Sequence, residues 1–388
     1  MGKKFIRGLL LALAATAIPL SATSPSVLPP CPGMAERAKY VVLFDVSAGR
    51  TLCERNSEVP FLPASMTKAM TTLVVFDLIK AGKLREDAVV EVRPETATRW
   101  AGKGTTLNLK PRERVTIADL LRGTATVSAN DASVALAESA LGNPEAFVAA
   151  MNARAKALGM SHSRFGTPSG YPDRGATIMS ARDLVRLGEA LINDHPELYR
   201  RYIGKKAMVW HGQVLTSHDP FAGILPGADG IKTGHTFEAG FNFLGAVERG
   251  GRRLVLVVGG ARTETDRANA ARDMAEWGYS EWDSRPFLSA GMSIGTARVQ
   301  NGDAREVPLA TTLAYSLAVP RGRATAATGR IVYLGPLEAP LAKGQEVARL
   351  QLETPGLPPY EVPLVTTAAV AKAGPIDRIV NALLGLFS

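Results

Sequence analysis

The sequence has 388 residues, 46% hydrophobic and 21% charged, the make-up of an ordinary globular protein with room for two or three domains. Its formal net charge is +9. Lys and Arg are scattered without aromatic interleaving, which excludes a nucleic-acid-binding surface, and the mild positive excess suits acidic polymers or anionic lipid headgroups.

The chain opens as a secretory leader. Lys3, Lys4 and Arg7 precede an apolar run from Gly8 to Leu20, and small residues follow around Ser21 and Ala22. The run is too short to span a bilayer comfortably, so cleavage near Ala22 is expected, and loss of those three cations leaves +6. A lipoprotein signal would need small residues before Cys31, where Pro29 and Pro30 stand instead. Cys31 and Cys53 are the two cysteines. An oxidising export compartment permits a bond between them, and two free small residues fit the sequence equally well.

Residues 23–36 carry four prolines and predict an extended tether. Lys39 to Val46 predicts a strand, turning through Ser47–Arg50 into Thr51–Glu54. Pro63 then leads into the apolar run Ala69–Phe76, the pattern of a buried helix with Ser65 and Lys68 on one face of its entrance. Val89–Val92 and Thr105–Leu109 predict short strands. Helices are expected over Thr116–Thr126, Asp131–Leu141, Pro144–Leu158 and Ser180–Ile192, with Ser180 as an N-cap. Strands are expected again at Gly230–Thr236, Phe241–Arg249 and Arg253–Gly259, before a helix from Thr265 to Trp277. Early and late strands around a helical middle imply one α/β domain whose sheet is built from both ends of the segment.

Composition shifts near Asp283–Pro286. Short alternating segments follow at Ser293–Gln300, Arg305–Leu309, Leu313–Val319, Gly329–Leu334, Glu346–Glu353 and Tyr360–Val365, which predict a small all-β domain. The last stretch places Ile376, Ile379, Val380, Leu383, Leu384 and Phe387 at helical spacing behind Pro375. That pattern is an amphipathic helix, docked either on the β domain or on a membrane surface.

Three short motifs carry chemistry. Ser65-x-x-Lys68 opens the buried helix. As a structural cap Ser65 would prefer Glu or Gln three residues on, and Lys68 has the wrong sign for a helix N-terminus. Ser128-Ala129-Asn130 sits between two helices, where Ser128 could cap the second. Lys232-Thr233-Gly234 lies on a strand, where it could be an ordinary edge. Together, in this order and on these elements, they form an acyl-transfer set. Lys68, as a neutral amine made so by burial and a nearby cation such as Lys232, can take the proton of Ser65. Ser128 can relay it, and Asn130 can donate to a substrate amide. The backbone N–H groups of Ser65 and His235 are the candidate oxyanion donors. Gly234 leaves the strand bare for an extended peptide, with Lys232 and Thr233 at its terminal carboxylate. His235 reads as a wall residue, since the base is already supplied.

On these residues the sequence resembles the serine D-alanyl-D-alanine carboxypeptidases, the low-molecular-mass penicillin-binding proteins of peptidase family S11. The likeness runs from about Lys39 to Trp277. It includes Pro63-Ala64-Ser65-Met66-Thr67-Lys68, Ser128-Ala129-Asn130-Asp131-Ala132 and Asp229-Gly230-Ile231-Lys232-Thr233-Gly234-His235-Thr236. Ala129 replaces the glycine usual in the second motif.

The resemblance implies an α/β (α+β) penicillin-binding-protein/β-lactamase-like transpeptidase domain, with a central antiparallel sheet and a helical subdomain. A small β-sandwich-like domain and a terminal amphipathic helix follow. The implied division is a signal peptide over 1–22, a linker over 23–36, the catalytic domain over 37–284, the β domain over 285–368 and a membrane-surface helix over 372–388. The resemblance also implies removal of the terminal D-Ala from peptidoglycan stem pentapeptides, inhibition by β-lactams, no metal or organic cofactor, and attachment to the outer face of the inner membrane. Arg262 matches a family arginine that assists carboxylate binding.

A β-lactamase would share the acylation apparatus. It would also need a deacylating glutamate in a Glu-x-x-Leu-Asn pattern, which is absent between Asn130 and Lys232, and Glu145 and Glu197 lack that context. A D,D-endopeptidase is compatible with the same motifs. A non-catalytic peptidoglycan-binding protein would have no use for an intact nucleophile.

Overall fold

The computed structural model describes residues 27–323 and 327–374. The expected leader lies outside the described residues, as does the terminal amphipathic helix apart from 372–374.

A five-stranded antiparallel sheet organises the catalytic part. In chain order its elements and their neighbours are β1 (Tyr40–Asp45), β2 (Arg50–Arg55), α1 (Lys68–Lys80), β3 (Val89–Glu91), α2 (Pro94–Trp100), β4 (Arg114–Thr116), α3 (Ile117–Ala125), α4 (Asn130–Leu141), α5 (Pro144–Ala157), α6 (Ala181–Asp194), α7 (Pro196–Tyr202), β5 (Ala207–Trp210), β6 (Gln213–Thr216), β7 (Ala228–Thr236), β8 (Gly240–Arg249), β9 (Arg252–Ala261) and α8 (Glu264–Ser280). The sheet order is β2-β1-β9-β8-β7, so both ends of the segment supply strands, as the spacing of elements predicts. The strands read as continuous apolar runs because both faces are covered. Val42, Leu244, Val255 and Val257 pack into the helical side. Leu43, Phe243, Leu254 and Leu256 alternate with them and pack under α8. Helix α1 is buried at every position from Lys68 to Phe76, which is why it is apolar all round rather than striped.

Three expectations change. The strand expected at Thr105–Leu109 joins no ladder among the described residues. The Asp131 carboxylate accepts from Leu107 N at 2.9 Å and Leu109 N at 3.0 Å, taking the backbone donors a ladder would use, and β3 pairs with β4 instead. The tether expected over 23–36 is folded at its end. Gly33–Arg37 forms a 3₁₀ turn with Ala35 buried against the α8 side of the sheet, and Cys31 is disulfide-bonded to Cys53 on β2. Helices α2 and α7 and the hairpin β5–β6 are additions that short, weakly periodic segments did not signal.

Strand β10 (Trp282–Leu288) crosses the expected boundary at 284/285 and pairs with β13 (Tyr315–Pro320). Beyond it, β11 (Ser293–Gln300), β12 (Glu306–Ala310), β14 (Thr328–Val332), β15 (Leu337–Glu338), β16 (Glu346–Glu353) and β17 (Tyr360–Thr366) build a six-stranded sheet ordered β14-β16-β17-β12-β11-β15. Val307, Leu309, Leu350, Val362 and Leu364 form its core. Arg50, 1% exposed, ties the two parts together. Its guanidinium donates to Pro358 O at 3.0 Å and lies 4.5 Å from the Tyr360 ring centroid.

Candidate active site

Ser65 sits in a 3₁₀ turn, Ala64–Thr67, that runs straight into α1 at Lys68. No side chain caps α1, so Ser65 is not spent as a helix cap. Ala64 holds φ +50°, an uncommon backbone for a residue with a side chain, and its carbonyl accepts from Thr67 Oγ1 at 2.8 Å. Lys68 is fully buried. Its Nζ is 2.7 Å from Asn130 Oδ1, 2.6 Å from the Ser169 carbonyl and 3.0 Å from Ser65 Oγ. Burial first, and then the charge of Lys232, push this amine well below its ordinary value, against the opposing charge of Asp131. A neutral amine has two N–H bonds and one lone pair. The two carbonyl oxygens take the N–H bonds, and the lone pair is left for the Ser65 hydroxyl.

The second wall starts at Ser128, which lines the cleft with φ +68°. Helix α4 begins two residues later with Ala129 at its cap position and no side-chain cap bond, so the capping role open to Ser128 in the sequence is not used. Asn130 is held on three sides: its backbone N–H donates to Thr105 O at 2.7 Å, its Nδ2 donates to Lys103 O at 2.8 Å, and its Oδ1 faces Lys68. One N–H of its amide remains for a ligand. Gly104, with φ +68°, is required here, because a Cβ would stand 2.9 Å from Asn130 Nδ2.

The edge strand β7 forms the third wall. Lys232 and Thr233 are buried, and burial with the nearby Arg267 brings the Lys232 amine down to about 7. Gly234 answers to a tighter constraint than a bare strand. A Cβ there would lie 2.3 Å from Pro63 O and 3.2 Å from Ser65 N, so the missing side chain lets β7 lie directly against the nucleophile turn. His235 is exposed, lines the cleft and stacks on Phe241 with ring centroids 3.9 Å apart.

Ser65, Ser128, Asn130, Thr233, Gly234 and His235 line one cleft of about 510 Å³, with Lys68 and Lys232 buried beneath it. Arg262 does not join them. It is exposed in the turn after β9, while Arg267, five residues on in α8, is 3% exposed and lines the cleft. Arg267 pairs with Glu264 at 2.7 Å and its charge bears on Lys232. Sequence reasoning also missed the Ser169 carbonyl, for which a backbone atom in a loop leaves no signal. It missed His218 at the cleft mouth too, where burial, Lys232 and Arg267 lower the imidazole. Glu264 is the one carboxylate lining the cleft among the described residues, and Glu145 and Glu197 are exposed and do not line it.

Comparison with known proteins agrees with this geometry. Residues 26–263 match the D-alanyl-D-alanine carboxypeptidase family, and residues 282–372 match the penicillin-binding protein 5 C-terminal domain. The chain is 32% identical over 358 residues to the D-alanyl-D-alanine carboxypeptidase DacA of Escherichia coli, covering 90% of this chain and 88% of that protein. It is 32% identical over 386 residues to the D-alanyl-D-alanine carboxypeptidase DacD of Escherichia coli, covering 97% and 95% of the two. Penicillin-binding protein 5 of Haemophilus influenzae superimposes with a TM-score of 0.72 at 30% identity, covering 91% of this chain and all of that one. Its fold and chain-wide likeness place this protein in the D-alanyl-D-alanine carboxypeptidase family of serine peptidases, as a two-domain enzyme of the penicillin-binding protein 5 type.

Proposed function

We propose that this enzyme removes the terminal D-alanine from peptidoglycan stem pentapeptides through an acyl-enzyme on Ser65. The observation that carries this reading is the environment of the Lys68 amine: buried, with both N–H bonds taken by Asn130 Oδ1 and Ser169 O, and its lone pair left for Ser65 Oγ. Lys68 takes the Ser65 proton as Oγ attacks the penultimate D-Ala carbonyl. The backbone N–H groups of Ser65 and His235 hold the oxyanion. The C–N bond then breaks, and the proton reaches the departing D-Ala amine through the Ser128 hydroxyl. In the second half a water attacks the ester, Lys68 takes its proton, and that proton returns to Ser65 Oγ as the shortened peptide leaves.

Substrate binding follows from charge and shape. The terminal carboxylate pairs with Lys232, Thr233 and Arg267; Arg262, exposed outside the cleft, is left out of this role. The peptide backbone lies along β7 at Gly234, with the free N–H of Asn130 on its amide. β-Lactams acylate the same serine. Glu264, the one carboxylate lining the cleft among the described residues, is engaged by Arg267, which favours slow release of the penicilloyl group over a lactamase. Residues 1–22 act as an export signal. Residues 372–388 hold the mature enzyme peripherally on the periplasmic face of the inner membrane through their apolar stripe.

Labelling with a fluorescent penicillin tests the chemistry. The wild type takes one label that persists for minutes; Ser65→Ala takes none, and Lys68→Ala labels more slowly by at least ~100-fold. An unlabelled wild type would end the mechanism, and release within seconds would make the lactamase reading the better one.

A further inference from the structure

The catalytic cleft has a wall across from β7 whose outer side chains the chemistry at Ser65 does not use. Gly104, Thr105, Tyr171 and Pro172 line the cleft there. Two chain segments meet in this wall. The Trp100 ring at the end of α2 stands edge-on to Tyr171 with centroids 5.3 Å apart, and Lys103 O accepts from Asn130 Nδ2 at 2.8 Å. Gly170 fixes the wall beside the nucleophile turn, since a Cβ there would stand 2.0 Å from Ala64 O.

The outer edge of this wall is cationic. Arg99 adjoins Trp100, Lys103 adjoins Gly104, and Arg174 follows Pro172 by two residues; all three are exposed. Their side chains form no ion pair and no hydrogen bond among the described residues. Elsewhere in the helical part Arg85, Arg122, Arg154 and Arg201 each hold a carboxylate. Nearby acids do not offset the excess. Asp173 spends its carboxylate on Thr177 N and Oγ1, and Glu264 pairs with Arg267. Glu95 lies in the first turn of α2, at the end away from Trp100, and Glu238 belongs to the β7–β8 turn on the opposite side.

A peptide with its terminal carboxylate at Lys232 and Thr233, and its scissile carbonyl between Ser65 N and His235 N, leaves the cleft past Thr236. An extended residue covers about 3.3 Å, so the two residues before the D-Ala pair lie roughly 5–10 Å out, at the cleft mouth. We propose that Arg99, Lys103 and Arg174 form a subsite for a free carboxylate carried by the stem peptide upstream of its D-Ala pair. The subsite rests on the carboxypeptidase reading of the cleft and adds a choice among stem peptides, acidic over amidated. Guanidinium groups suit a carboxylate through paired N–H donors, and at exposed positions the attraction is modest and screened by salt.

Two peptides that differ by one charge test it: acetyl-D-γ-glutamyl-(Nε-acetyl)lysyl-D-Ala-D-Ala, and the same peptide with the glutamate α-carboxylate amidated. At about 20 mM salt the acidic peptide is expected to show kcat/KM about fivefold above the amide, and at about 0.5 M salt the two converge. Arg99→Gln with Arg174→Gln brings the low-salt preference below about twofold. The same variant leaves kcat/KM for the amidated peptide and the rate of penicillin labelling as in the wild type. Lys103 is kept because its carbonyl holds Asn130. Equal turnover of the two peptides by the wild type at low salt, or a preference in the variant that stays above that level, overturns the subsite. An equal loss on both peptides makes the two arginines structural and overturns it as well. If an enzyme that takes the penicillin label releases D-Ala from neither peptide, the carboxypeptidase reading itself fails and the subsite falls with it.

Discussion

Lys68 has a second cation, Lys232, in its field rather than a neutralising carboxylate in contact, and the one negative charge opposing that field belongs to Asp131. Asp131 is 2% exposed and spends its oxygens on backbone donors: Leu107 N, Leu109 N and Ala132 N. It therefore does two things at once. It pins the segment that carries Thr105, whose carbonyl clamps Asn130, and it favours the protonated form of Lys68. The rate of acylation rises with pH as Lys68 loses its proton. Removing a negative charge lowers that proton affinity further, so Asp131→Asn moves the acid limb of kcat/KM to lower pH while reducing the plateau. A reduced plateau with an unmoved limb would leave Asp131 only its tethering role. On the other side of the profile, Lys232 loses its charge as pH rises through about 7, which weakens carboxylate binding and sends kcat/KM for the peptide down, and Arg267 keeps the fall partial.

The turn before α1 is placed by three close backbone approaches that side chains would block. Gly234 on β7 meets Pro63 O and Ser65 N, and Gly170 meets Ala64 O, where a Cβ would stand only 2.0 Å away. The nucleophile is thus wedged between the edge strand and the loop that supplies the Ser169 carbonyl. Gly234→Ala forces backbone apart at the site of attack and has no flexible neighbour to absorb the shift. Penicillin acylation is expected to fall by at least ~100-fold, with thermal stability lowered by about 1–3 kcal/mol. Near-normal labelling of this variant would show that the turn can slide along β7. The same logic explains why Thr105–Leu109 looks like a strand and is not one: its alternation is real, but its donors are claimed by a buried carboxylate twenty-odd residues away.

The β domain is joined to the catalytic part by β10, by Arg50 and by the backbone bond from Ser316 N to Ser47 O at 2.7 Å. Its last described residues are still integral to it, since Val370 N donates to Leu341 O and Ala373 N to Asn301 O. A membrane-release truncation therefore belongs after Gly374, not before it. Cut there, the enzyme is expected to fractionate as a soluble protein with unchanged kcat/KM on a small peptide. If it continues to sediment with membranes, the terminal stripe packs on protein and another surface makes the attachment.

The reaction type and the sheet were legible in the sequence because each rests on local pattern. Ser65 and Lys68 are three residues apart on a helix entrance, Lys232-Thr233-Gly234 follows strand alternation, and apolar runs at both ends of the segment require a shared, doubly covered sheet. What only the tertiary structure decided is long-range. The two acceptors that leave the Lys68 lone pair for Ser65 come from residues 62 and 101 positions away. Arg262 and Arg267 both follow β9, and chain order cannot tell which reaches the cleft. The winding and docking of α8 bury Arg267 beside Lys232 and leave Arg262 in solvent. A side chain's direction is set by the packing of the element that carries it, and that packing is decided by surfaces far away in the chain.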